Sequence, residues 1–142
     1  MASQTHIDVF DKTVQEAYEW IHEVMEETGL DDRHYALQAL RGVLHAVRDE
    51  LTTDQNAHLS AQLPTLLRGL YYEGWDPSRT PAADRSLEVF LDRVRPSFAG
   101  YGRAIDLEQV VRGVLRVLAR RMPGSMAKIK CTLHHGLRAL WP

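Results

Sequence analysis

The stretch RGVLHAVRDEL, residues 41–51, returns as RGVLRVLARRM at residues 112–122, and that return decides the fold. The offset is 71 inside this block and 70 on either side of it. Upstream, Trp20, Ile21 and Val24 match Phe90, Leu91 and Val94; downstream, Leu67, Arg68, Leu70 and Tyr71 match Leu137, Arg138, Leu140 and Trp141. Self-similarity at a fixed period marks a repeated structural unit, here one of about 70 residues present twice.

The spacing makes the unit helical. Ala36, Leu40, Val43, Leu44, Val47 and Leu51 follow the three-and-four rhythm of one helix face, and Leu107, Val111, Val114, Leu115, Leu118 and Met122 repeat it. A shorter amphipathic helix precedes each block. The first runs from Val14 to about Glu27, with Val14, Ala17, Tyr18, Ile21, Val24 and Met25 inward and Thr28-Gly29 as its stop; the second runs from about Ser86 to Pro96. After the first block, Thr52 with Gln55 three residues on forms a capping box, while Pro123-Gly124-Ser125 opens the corresponding helix of the second copy. Each copy therefore reads as three helices.

The third helix of the first copy contains LPTLLRGLYYEGWDP, residues 63–77. Proline disfavours helical geometry in the residue before it, so Pro64 starts a new segment after a break near Leu63. Gly74 suits the left-handed closing position, Trp75 folds back on the last turn, and Pro77 forbids continuation. The matching position in the second copy is His134, so the interruption is read for the first copy alone. Gly42 and Gly113 occupy equivalent mid-helix positions, where glycine costs about 1 kcal/mol relative to alanine. A close helix crossing accounts for the pair.

These elements predict an all-α protein: two tandem three-helix repeats packed into one bundle. The domain spans 1–142, with repeat one at about 13–74, a polar proline-marked linker at about 75–85 and repeat two at about 86–141. At 142 residues, 44% hydrophobic and 25% charged, the chain suits one packed core. Its single cysteine, Cys131, forbids an internal disulfide and a cysteine-rich zinc site. No apolar run approaches the roughly 20 residues of a membrane span and no basic-then-apolar leader opens the chain, so a cytoplasmic location and no membrane partner are expected. Arginine outnumbers lysine 14 to 3, a bias that fits a GC-rich bacterial source.

The residues also carry a resemblance. LTTDQNAHLSAQLPTLLRGLYYEGWDP, followed by FLDRV and a second copy ending in RALWP, resembles the family called domain of unknown function 2267 over roughly residues 10–141. The second copy departs from the pattern with CTLHHGLRALWP where another QLP-like element would stand. The resemblance implies an all-helical bacterial domain, sometimes encoded near stress-response or regulatory genes. It carries over no catalytic residues.

Candidate chemistry is sparse. Glu19 and His22 have the Glu-x-x-His spacing of di-iron bundles, and Glu26 adds a same-face carboxylate. Such sites need a second Glu-x-x-His, and the second copy has Val89 and Asp92 instead. No metal and no cofactor are therefore assigned. Cys131 and His134 sit three apart without an orienting group or a charge stabiliser, so no catalytic residue is assigned either.

The surfaces say more. Residues 1–100 hold 9 Lys/Arg against 17 Asp/Glu, whereas residues 101–142 hold 8 against 2. Arg112, Arg116 and Arg120 stack at intervals of four opposite the apolar face, and Arg121, Lys128 and Lys130 extend them. Glu16, Glu19, Glu23, Glu26 and Glu27 form a complementary stripe. The first reading of both stripes is a pair of ordinary solvated faces, because exposed ion pairs contribute little individually; the sharper reading is contact between the acidic and basic faces, within the monomer or between subunits. Tyr72 and Trp75, lacking counterparts in the second copy, are the aromatics left for a binding surface. The function read from these features is a non-catalytic protein-interaction or regulatory module, with a protein or the chain itself as partner; a stress-related setting is what the family resemblance implies. The first alternative is nucleic-acid or polyanion binding through the basic second repeat, and the second is a metal-dependent enzyme.

Overall fold

In the computed structural model, residues 5–142 are described, and among them every regular element is a helix. Asp8 and Asp11 place negative charge in the first turn of α1 (Asp8–Thr28), where the helix dipole favours it. Gly29 closes α1 in the left-handed conformation at φ 78°, donating its N–H to the Met25 carbonyl. The helix starts six residues earlier than its core-facing spacing suggests, because Phe10 continues the stripe of Val14 onto a turn that no other helix covers.

Asp32 caps α2 (Arg33–Glu50) by accepting the His34 N–H at 2.7 Å. The expected capping box opens α3 (Thr53–Ser60): Thr52 accepts from the Gln55 N–H, and the Gln55 side chain accepts from the Thr52 N–H. Pro64, extended at ψ 150°, leads into α4 (Thr65–Tyr72), and Gly74 follows at φ 71°. A 3-10 turn over Pro77–Arg79 connects to α5 (Leu87–Val94), capped by Ser86 and continued as a 3-10 segment through Arg95–Phe98. Asp106 caps α6 (Leu107–Arg121); α7 (Pro123–Thr132) and α8 (His135–Arg138) complete the chain.

One expectation is corrected here. The interruption read for the first half alone occurs in both: α7 and α8 are separated at Leu133 and His134. His134 adopts φ −58° and ψ 145°, close to the −55° and 150° of Pro64, and its Nδ1 accepts the Gly136 N–H at 3.4 Å. A side-chain acceptor replaces the proline ring as the helix starter.

The inward face of α1 also differs from its expected set. Trp20 is buried along with Ala17, Ile21 and Val24, while Val14, Tyr18 and Met25 are half-buried. The reason lies in α1's neighbours: it packs most extensively on α6 and also on α2, so its buried arc is turned toward Trp20. The α5 segment and its 3-10 extension pack mainly on α2, with little contact to α6. Thus α1 lies across both α6 and α2, while α5 and its 3-10 extension lie mainly on α2.

Both mid-helix glycines mark these crossings. A Cβ on Gly113 of α6 would lie 2.8 Å from Thr28 Cγ2 and 2.9 Å from the Glu27 carbonyl oxygen at the end of α1. A Cβ on Gly42 of α2 would strike the Ser97 hydroxyl and sit 3.5 Å from Val94 Cγ1. Between them, α2 and α6 bury Val43, Leu44, Val47, Val114, Leu115 and Leu118 in one continuous core. Full burial of each such side chain contributes about 1.5–3 kcal/mol. No helix among the described residues is long and apolar enough to cross a membrane.

Candidate interaction surface

The arginines of α6 meet the acids of α1. Arg116 Nε donates to Glu27 Oε2 at 2.9 Å and its Nη2 to the Glu27 carbonyl; Arg120 donates to Glu27 Oε1. Arg121 grips Glu23 with two hydrogen bonds of 2.8 and 3.1 Å, its guanidinium 5.5 Å from the centre of the Trp20 ring. Hydrogen bonds from Arg116 and then Arg120 hold the Glu27 carboxyl below its ordinary range. Repulsion among stacked arginines is thus relieved inside the chain, across the α1–α6 crossing.

The remaining basic residues divide. Arg112 donates to Glu108 and, at 2.6 Å, to the Ala139 carbonyl at the end of α8. Lys130 donates to the Pro142 carbonyl at 3.2 Å, whereas Lys128 is exposed beside Gln55, His58 and Ser125. Tyr72 and Trp75 pack against each other at a tilt of 43° with ring centres 5.1 Å apart, and the Tyr72 hydroxyl pairs with Ser60 Oγ at 2.6 Å. That aromatic pair fastens α4 to α3 and leaves only part of each ring outward. Cys131 is exposed, Glu19 and His22 are exposed on α1, and no group of three His, Cys, Asp or Glu side chains gathers into a metal-ligand set among the described residues.

Buried polar residues that sequence reasoning passed over hold the frame. Glu50 at the end of α2 is 1% exposed; Arg85 and Arg93 each donate to its carboxylate at 3.0 Å, tying α2 to the connection and to α5. Arg48, also buried, donates to the carbonyls of Tyr71 and Glu73 at 2.8 Å, satisfying the end of α4. Asn56 bridges by donating to the Arg48, Leu51 and Thr52 carbonyls and accepting from the Tyr71 hydroxyl. The sequence does not mark them out, because Arg48 and Glu50 sit in the polar run at the end of α2 and Asn56 in the polar start of α3, which spacing alone assigns to solvent. His45 donates from Nε2 to the Leu70 carbonyl at 2.7 Å, and burial pushes its pKa below the usual 6.5.

One open cleft is apolar. A groove of about 460 Å³ runs between α1, the start of α2 and α4. Val14, Tyr18, Leu37, Leu66 and Leu70 line it, with Arg33 and His34 at its mouth. Leu66 is 42% exposed, and beyond the groove Phe10 is 53% exposed on the same side of α1. Helical spacing identified Tyr18 and Leu70 as core residues; they form a groove wall because no further helix lies over α1 and α4. The arrangement can receive an apolar helix face, a recurring mode of peptide recognition.

No curated protein matches the chain. The family model described as "Uncharacterized conserved protein (DUF2267)" matches residues 17–140. That span reaches into every helix from α1 to α8 and takes in both crossings. The chain belongs to the DUF2267 family.

Proposed function

We propose that this chain is a non-catalytic interaction module: two tandem copies of one helical unit exchange their first helices to build a single rigid frame, and a protein partner docks on the α1–α4 groove. The groove carries the functional part, because it is apolar, open and bordered by exposed Leu66 and Phe10. Three correspondences support the repeat. The breaks at Pro64 and His134 lie 70 residues apart; Arg68 donates to the Ala61 carbonyl as Arg138 does to Cys131; Gly42 and Gly113 each receive the opposite half's first helix. A cytoplasmic, regulatory and stress-related setting enters from sequence and family resemblance alone.

The rival reading, polyanion binding across Arg112, Arg116, Arg120, Arg121, Lys128 and Lys130, draws its support from Lys128, the outward-facing lysine. The four arginines already serve acids or carbonyls of the chain itself.

The test is photocrosslinking in cells, with a crosslinking residue placed at Leu66 or, separately, at Lys128. Discrete protein adducts at position 66, lost on Phe10→Asp, are expected. Nucleic-acid adducts at position 128, with none at position 66, would reverse the order of the two readings.

A further inference from the structure

We draw no further inference here: the strongest candidate, the apolar groove between α1 and α4, belongs to the site already described, and nothing among the described residues shows what covers it.

Discussion

Replacing Gly113 with alanine would probe the crossing of α1 over α6. In an uncrowded helix, Gly→Ala stabilises by about 1 kcal/mol, because alanine loses less backbone freedom on folding. At position 113 the new methyl would lie 2.8 Å from Thr28 Cγ2 and 2.9 Å from the Glu27 carbonyl oxygen, and the latter is backbone that cannot rotate away. The end of α1 must move, taking with it the Glu27 groups that Arg116 and Arg120 hold. Overpacking of this kind costs about 1–3 kcal/mol, and contact with backbone places it in the upper half of that range. After the propensity gain, net destabilisation of about 1–2 kcal/mol remains, a fall in Tm of about 4–8 °C at this chain length. Gly69 in α4 is the control: a Cβ there meets nothing within 4 Å, so Gly69→Ala should raise Tm by up to about 4 °C. Thermal unfolding by circular dichroism measures both. If Gly113→Ala matched or exceeded the parent while Gly69→Ala behaved as stated, the close α1–α6 crossing would be refuted.

Glu50→Ala leaves Arg85 and Arg93 without their shared buried carboxylate and should lower stability by about 1.5–3 kcal/mol in urea unfolding, since both arginines are partly exposed and water can take the place of the lost acceptor. His45, whose folded pKa lies below 6.5, contributes stability in full above 6.5 that is lost as pH falls through the folded value. The urea midpoint should therefore drop from pH 7.5 to 5.5 in the wild type, and less in His45→Gln. Glu27, with its folded pKa below the ordinary 4.5, contributes stability above 4.5 that disappears as pH falls through its lowered value. Glu27→Gln should flatten the wild type's stability loss on the acid side of pH 4.5, measured by urea midpoints at successive pH values.

The long helices, the capping box at Thr52 and Gln55, the close of α4 at Gly74 and the buried faces of α2 and α6 were all legible in the sequence, because local spacing and turn chemistry dictate them. The packing of α1 on α6 and of α5 on α2 was not. Periodicity shows that α1 has an apolar face but does not say whether α2 or α6 of which half will cover it. The same limit hid the groove, since Tyr18 and Leu70 sit at correct core spacing and differ from buried residues only in lacking a helix above them. The break at His134 escaped because its starter is a side-chain hydrogen bond, and histidine, unlike proline, does not impose that geometry. The arginine stripe of α6 and the glutamates of α1 were both visible as stripes; their pairing within one chain depends on α1 crossing α6.

Cutting the chain between Arg79 and Thr80, in the exposed connection, tests the exchanged two-unit frame most directly. Fragments 1–79 and 80–142 each retain a long helix but lose the first helix that packs across it. Circular dichroism and urea unfolding of each fragment alone should show little helix and no cooperative transition. An equimolar mixture should recover the helicity and cooperative unfolding of the intact chain. Cooperative folding of either fragment alone, with nothing gained on mixing, would contradict the exchange.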